Sequence, residues 1–218
     1  EIGVPIADEA LFTHNAKGFL ELLSWIAVGA RSAEDQEHRI FASAIDAAAG
    51  MKNPTYGALD IAVNSVVAAQ ASHVAVFDGN QVETLGNDYA HLVLRGGINK
   101  PNYHIEDIMQ AKELMESHNV KNPAIVIDAS HDNCCIAGKK TLERQIQVVH
   151  EVVSNLHDFP ELRKIVKGFM IESFIKDGNQ KVDLDNPDAL DRDGLSITDP
   201  CLGWEKTEKL IRELHERL

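Results

Sequence analysis

The chain has 218 residues, of which 44% are hydrophobic and 25% charged, a composition typical of one globular domain with a substantial core. Its formal net charge of −13 argues against general binding to nucleic acid or to an anionic membrane surface. No apolar run approaches the ~20 residues of a membrane span, and we find no signal-peptide pattern. The three cysteines include an adjacent pair and do not suggest a disulfide framework, so we expect a reducing, cytoplasmic setting.

Short apolar runs alternate with amphipathic stretches, which predicts one domain, residues 1–218, of repeated strand–helix units. Strands are predicted near residues 9–12 and at 26–30, 47–51, 74–77, 91–94, 125–127 and 168–171. Helices are predicted at residues 15–25, 32–44, 59–69, 105–117, from 142 to at least 156, and 205–218. Ser32, three residues before Asp35, is the predicted start of a capping box. Residues 78–80 predict a hairpin turn, with its second strand at 81–84, and residues 177–194 predict a long surface loop.

This alternation of elements predicts a parallel sheet, either open or closed into a barrel. Hydrophobic periodicity does not decide between a barrel and a doubly wound sheet. No Gly-x-Gly-x-x-Gly motif follows any predicted strand, which argues against a dinucleotide-binding doubly wound fold.

Charged or titratable residues follow successive apolar runs: Arg31, Lys52, Arg95, His131, Glu172 and Asp199. The C-terminal ends of parallel strands share one rim, so we expect these side chains to converge. The three cations imply a ligand with several negative charges, such as a phosphorylated carboxylate. Gly96 and Gly97 follow Arg95, and their backbone amides are predicted to approach an oxyanion.

One imidazole and two carboxylates, from His131, Glu172 and Asp199, suit Mn²⁺, Fe²⁺ or Zn²⁺ with coordination positions left open for substrate. Each residue also has a purely structural interpretation. Strand-end cations commonly pair with carboxylates, here Glu172 and Asp199, and His131 can be a satisfied strand-end histidine or a proton carrier. The repetition of the pattern at successive strand ends favours a functional site.

The cysteines beside His131 offer two weaker alternatives. Cys134 and Cys135 are neighbours, which is not the usual spacing of metal ligands. A nucleophilic arrangement of Cys134, His131 and Asp128 is also conceivable, but nothing in the sequence supports it specifically.

Several motifs resemble, in order along nearly the whole chain, those of the type I 3-deoxy-D-arabino-heptulosonate 7-phosphate (DAHP) synthases, which begin the shikimate pathway to aromatic amino acids. The motifs are Gly29-Ala30-Arg31-Ser32, Gly50-Met51-Lys52-Asn53, Leu94-Arg95-Gly96-Gly97, DASHDN from Asp128, Ile171-Glu172-Ser173 and SITDPCLGW from Ser196.

The resemblance implies a (β/α)8 barrel, of which this chain supplies about six of the eight units. It implies an enzyme that condenses phosphoenolpyruvate with erythrose 4-phosphate, releases phosphate and forms a homo-oligomer, a dimer or tetramer. Arg31, Lys52 and Arg95 match residues that bind phosphoenolpyruvate. His131, Glu172 and Asp199 match ligands of a divalent metal (Mn²⁺, Fe²⁺, Co²⁺ or Zn²⁺), and the predicted catalytic residues are Lys52 and His131. The alternatives are the related synthase that uses arabinose 5-phosphate and a non-catalytic barrel.

The chain also departs from the family pattern. Pro200 stands where family members often have a small residue, and the family's Gly-Pro-Cys-Ser and Lys-Pro-Arg-Thr segments match nothing here. We therefore expect the first two barrel strands to be missing from residues 1–218. An open barrel exposes unpaired strand edges, so we expect this stretch alone to aggregate or to need a partner, and to be nearly inactive.

Overall fold

The computed structural model describes the backbone of residues 3–18, 20–77, 79–98 and 100–218. The strands are β1 (Ala7–Glu9), β2 (Trp25–Val28), β3 (Ala48–Lys52), β4 (Val74–Phe77), β5 (Asn80–Glu83), β6 (His91–Leu94), β7 (Ile125–Asp128), β8 (Cys135–Ile136), β9 (Lys139–Lys140) and β10 (Val166–Met170). The α-helices are α1 (Gln36–Ala44), α2 (Leu59–Gln70), α3 (Ile105–Ser117), α4 (Leu142–Asp158) and α5 (Trp204–Arg217). No helix in these described ranges is long and apolar enough to cross a membrane.

Six strands form one parallel sheet in the order β1-β2-β3-β6-β7-β10. Each strand of this sheet lies beside the one that precedes it in the chain, without the reversal of order found in doubly wound sheets. The order fits a partial (β/α) barrel and argues against a doubly wound sheet, the alternative that hydrophobic periodicity had left open. Within the described ranges, no pairing joins β1 to β10.

The central strands are almost completely buried, as expected where a parallel sheet is covered on both faces. Strand β6 is buried at all four positions, and β3 at four of its five. Helix α4 contributes a buried stripe at helical spacing that includes Val149, Val153 and Leu156. The edge strand β1 is exposed at all three positions. The core therefore fixes the central strands, and the candidate site residues lie at or just after the C-terminal ends of these strands.

Most predicted elements are confirmed within a few residues, including the β4–β5 hairpin, but two local predictions are wrong. The predicted helix at residues 15–25 is replaced by two short 3₁₀ turns, Thr13–Gly18 and Leu20–Leu22, and Trp25 already belongs to β2. Phe19 lies outside the described residues. Gly18 weakens a continuous helix there because it has the largest backbone entropy to lose. Helix α1 begins after Asp35, whose carboxylate accepts from the His38 amide. Ser32 is instead held in a turn, where its amide donates to Gly29 O. The β8–β9 hairpin was not predicted.

A buried histidine, His91, is the first residue of β6 and lies at the N-terminal end of the central strands. His91 is 8% exposed, and its Nε2 accepts a hydrogen bond of 2.9 Å from Trp25 Nε1. Its Nδ1 lies 2.8 Å from Tyr89 O, so the proton of the neutral ring belongs on Nδ1. Burial lowers the pKa of His91 below its ordinary value of 6.5.

This shift predicts an acid-sensitive contribution to stability. Below about pH 6.5 the unfolded chain protonates at this position before the folded chain does, so stability falls as the pH drops towards the folded-state pKa. The variant His91→Gln should lose this contribution and show a flatter dependence of the unfolding free energy on pH between 5 and 7. The exposed control His157→Gln should follow the wild type. A curve for His91→Gln as steep as that of the wild type would contradict the assignment.

Candidate metal and substrate site

The structure brings His131, Glu172 and Asp199 together at the C-terminal ends of β7 and β10. One potential ligand atom from each lies within 4.8 Å of the other two. His131 Nε2 is 3.7 Å from Glu172 Oε1. All three side chains are partly buried, so the group is accessible to an ion without being fully solvated. The one nitrogen and two carboxylate donors fit the first-row divalent metals considered from the sequence.

Asp199 reaches this group from a loop and not from a strand end, contrary to the prediction. Its segment forms isolated bridges and no regular strand: Cys201 and Ser196 bridge to the preceding loop at Gly178 and Asn179, and Leu202 bridges in parallel to Ser173, just after β10. Asp199 Oδ1 also contacts Lys140 Nζ at 2.5 Å. Lys140 belongs to the unpredicted hairpin, which therefore contributes a cation to the edge of the metal group.

His131 has a backbone φ of +51°, in the left-handed region that residues other than glycine seldom occupy. Such a conformation costs on the order of 1–3 kcal/mol and persists only where surrounding contacts impose it. The adjacent amides are held: Asp132 N donates to Arg95 O, and Cys134 N donates to Ser130 O. The turn after β7 is thus fixed in a strained shape at the residue that presents the imidazole.

Negative charge is concentrated around Glu172. Burial raises the pKa of the Glu172 carboxyl, and the nearby carboxylates of Asp128 and Asp199 raise it further, while His131 and Lys52 oppose the shift. A divalent cation would offset this repulsion, which is an electrostatic reason why the donor set fits a metal.

The cation Lys52 ends strand β3, Arg95 follows the adjacent strand β6, and both residues are buried. Each has a carboxylate partner, but not the one considered from the sequence. Lys52 Nζ is 3.3 Å from Asp128 Oδ2, and Arg95 Nη1 is 2.6 Å from Asp132 Oδ2. The third predicted cation, Arg31, lies on an exposed turn after β2.

Burial raises the pKa of a carboxyl group, but contacts with His131 and Lys52 outweigh this effect and lower the pKa of Asp128. Asp128 therefore stays ionised between its two neighbours.

The predicted oxyanion contact of Gly96 and Gly97 is wrong for this structure. Gly96 N donates to Asn102 Oδ1 at 2.7 Å, and Gly97 N donates to Lys100 O at 2.8 Å. Both amides are thus used within the protein. The alternative roles of Cys134 also lose support, since its thiol is buried, burial raises its pKa, and it lies outside the metal group.

A network of three buried asparagines holds the loops of the site and was missed from the sequence. Asn53 Oδ1 accepts from the Arg95 amide and from Asn102 Nδ2. The side-chain oxygen of Asn102 accepts from Gly96 N, and the backbone amide of Asn102 donates to Asn133 Oδ1. The only available sequence signal was position, because Asn53 and Asn133 lie within two residues of Lys52 and His131.

Gly96 provides a test of how tightly this network is packed. Its φ is +79°, and an added Cβ would lie 2.8 Å from Asn133 N and from two atoms of Asp132. We expect Gly96→Ala to lower the unfolding free energy in urea by about 1–3 kcal/mol, because the backbone must move. The control Gly168→Ala, whose Cβ would meet nothing within 4 Å, should have little effect. Equal stability of the two variants would show that the loop yields easily.

The chain matches the family model described as the DAHP synthetase I family over residues 1–212. It is 38% identical to the Trp-sensitive phospho-2-dehydro-3-deoxyheptonate aldolase of Escherichia coli K12, over 98% of this chain and 60% of that protein. It is 37% identical to the Tyr-sensitive protein of that name from Salmonella typhimurium, over 100% of this chain and 59% of the relative.

The fold is also similar to a solved structure, that of phospho-2-dehydro-3-deoxyheptonate aldolase from Francisella tularensis. The TM-score is 0.87 at 32% identity, and the match covers 99% of this chain and 61% of the other. The chain thus spans about three-fifths of the length of the relatives it matches. Since the family model covers nearly every residue, the chain belongs to the DAHP synthetase I family.

Proposed function

We propose that this protein is a DAHP synthase, which condenses phosphoenolpyruvate with erythrose 4-phosphate and releases phosphate. Residues 1–218 would form a single catalytic-barrel domain that supplies about six of the eight units of a (β/α)8 barrel. The observation that carries the proposal is that the group of His131, Glu172 and Asp199 lies close to Lys52. Asp128 contacts both Lys52 and His131 and so links the two. The predicted dimer or tetramer rests on the family resemblance, and the predicted cytoplasmic location rests on the cysteine pattern.

The relatives' names support the choice of aldose. A heptonate is a seven-carbon acid, the length that phosphoenolpyruvate and erythrose 4-phosphate give together. Arabinose 5-phosphate would give a longer product. Family membership therefore favours erythrose 4-phosphate over the alternative considered from the sequence.

Phosphoenolpyruvate would be held by Lys52, Arg95 and Arg31, whose positive charges complement its phosphate and carboxylate. The Arg95 guanidinium has five N–H donors, and Nη1 contacts Asp132, so further donors remain for a bidentate contact with an oxyanion. Lys52 and Arg95 are buried, and charges in such surroundings are screened less than in bulk water. This arrangement favours an anionic substrate despite the acidic character of the whole chain.

His131, Glu172 and Asp199 would hold a divalent ion, Mn²⁺, Fe²⁺, Co²⁺ or Zn²⁺. When bound, such an ion supplies Lewis-acid polarisation of the aldehyde. In this proposal Lys52 would protonate the aldehyde oxygen while C3 of phosphoenolpyruvate attacks the carbonyl carbon. Water then adds at C2, and the C2 carbonyl forms as the C2–O bond to phosphate breaks. One proton of the water replaces the proton given by Lys52, and the other leaves with phosphate. The protein's main contribution is to fix the two substrates in reacting geometry.

Replacing one metal ligand tests this proposal. Glu172→Gln removes a charge and a strong oxygen donor, so we expect the affinity for Mn²⁺ to fall by at least about 10-fold, as measured by isothermal titration calorimetry. Release of phosphate from phosphoenolpyruvate with erythrose 4-phosphate should fall in parallel.

The matched control is Glu205→Gln, an exposed glutamate at the start of α5, which should retain wild-type affinity. Full Mn²⁺ affinity and turnover in Glu172→Gln would contradict the proposed ligand set. The turnover assays use a form of the protein completed with the family's Gly-Pro-Cys-Ser and Lys-Pro-Arg-Thr segments, since residues 1–218 alone are expected to be nearly inactive. If that completed protein binds the metal but consumes phosphoenolpyruvate with neither erythrose 4-phosphate nor arabinose 5-phosphate, the barrel is non-catalytic.

A further inference from the structure

We propose that Asp128 is a positioning residue that fixes the ring of His131 for metal binding and holds Lys52 beside it. This inference rests on the proposed function, since it assigns a role within the same site. Asp128 is the last residue of β7, and its side chain is 1% exposed. Strand β10 pairs with β7 up to Asp128 itself, and β6 pairs with β7 on the other side up to Ile127. The Asp128 carbonyl also accepts a hydrogen bond from Asn133 Nδ2, so its backbone is well held.

The two oxygens of Asp128 have different partners. Oδ1 accepts a hydrogen bond of 3.0 Å from Ser130 N. Oδ2 lies 2.8 Å from His131 Nδ1 and 3.3 Å from Lys52 Nζ. A single oxygen therefore contacts both the imidazole of the metal group and a predicted substrate-binding cation.

The contact between Asp128 and His131 is close but bent. Among the described residues, neither His131 Nδ1 nor Asp128 Oδ2 has an aligned hydrogen-bond partner, and both atoms are buried. Leaving two buried polar atoms unpaired is costly, and these two lie only 2.8 Å apart. The two atoms are thus each other's natural partners.

This pairing determines which nitrogen of His131 can bind metal. An ionised carboxylate only accepts hydrogen bonds, so the proton of the neutral ring must lie on Nδ1. The lone pair is then on Nε2, the nitrogen that faces Glu172. A carboxylate behind a metal-binding histidine sets the tautomer, fixes the ring and raises the basicity of the ligand.

The same oxygen stabilises the charge of Lys52. Lys52 is buried, and a buried ammonium without a partner is strongly unfavourable. Asp128 therefore ties the position of the substrate-binding cation to that of the metal ligand. Its carboxylate acts through these two residues and is not placed in contact with the substrate.

The first experiment is Asp128→Asn, which keeps the shape of the side chain. If the new amide group faces His131, it donates to Nδ1 and forces the ring proton onto Nε2, which blocks that nitrogen. If it faces the other way, the new amide N–H points at the backbone N–H of Ser130, and two donors oppose each other. We expect Mn²⁺ affinity to fall about 10- to 100-fold in calorimetry. An unchanged affinity would overturn the proposal.

The control is Asp132→Asn, which removes an equal charge from the same turn but contacts Arg95 instead of His131. Its Mn²⁺ affinity should stay at the wild-type value. A loss as large as in Asp128→Asn would show that overall charge, and not the position of the carboxylate, matters, and would also overturn the proposal.

A second measurement reads the tautomer in the wild-type protein and needs a variant only to assign the signal. In metal-free wild-type protein, ¹⁵N NMR should show neutral His131 with its proton on Nδ1, the signal being assigned by its loss in His131→Gln. Predominance of the Nε2–H form would contradict the inference. If wild type and His131→Gln bind Mn²⁺ equally, the proposed metal site is wrong. The tautomer of His131, measured without metal, would still test whether Asp128 orients the ring.

Discussion

Oδ2 of Asp128 lies between the Lys52 ammonium and the His131 imidazole at the end of a buried parallel strand. Burial makes this contact strong, and it also makes loss of either partner costly. The carboxylate can occupy this position because β7 is hydrogen-bonded on both sides, which leaves its last residue little freedom. The rest of the candidate site is arranged around this point.

The loops after the strands are fixed by polar contacts inside the protein. Asn133 donates to the carbonyls of Leu94 and Asp128, and so ties the turn after β7 to β6 as well as to its own strand. Through Asn102 the network continues to Asn53, which follows Lys52. Because these groups satisfy one another, the cationic side chains and the strained backbone of His131 remain in place before any ligand binds.

The sequence predicted which residues gather at the site better than it predicted which of them form ion pairs. His131 and Glu172 could be found because each follows a short apolar run, and the C-terminal ends of parallel strands meet at one edge. The order of strands in the sheet and the exact ends of helix α1 could not be found this way. Both depend on contacts between segments distant in the chain, which local hydrophobic patterns do not determine.

The same reason explains the errors within the site. Asp128 and Asp132 were not recognised as partners of Lys52 and Arg95, since those pairs join different strands. The amides of Gly96 and Gly97 were predicted to be available, but the structure uses both. Asp199 was expected at a strand end, yet it lies in a segment that forms only isolated bridges, one of them in parallel with Ser173 after β10.

The most direct test of the account is a crystal structure of the protein with Mn²⁺, analysed by anomalous diffraction. We predict one anomalous peak within about 2–2.5 Å of His131 Nε2 and of a carboxylate oxygen from each of Glu172 and Asp199. Asp128 should then lie behind the ring, in contact with Nδ1. A native-like fold in which the ion binds elsewhere, or in which the three side chains lie more than about 10 Å apart and so beyond shared coordination, would contradict the account.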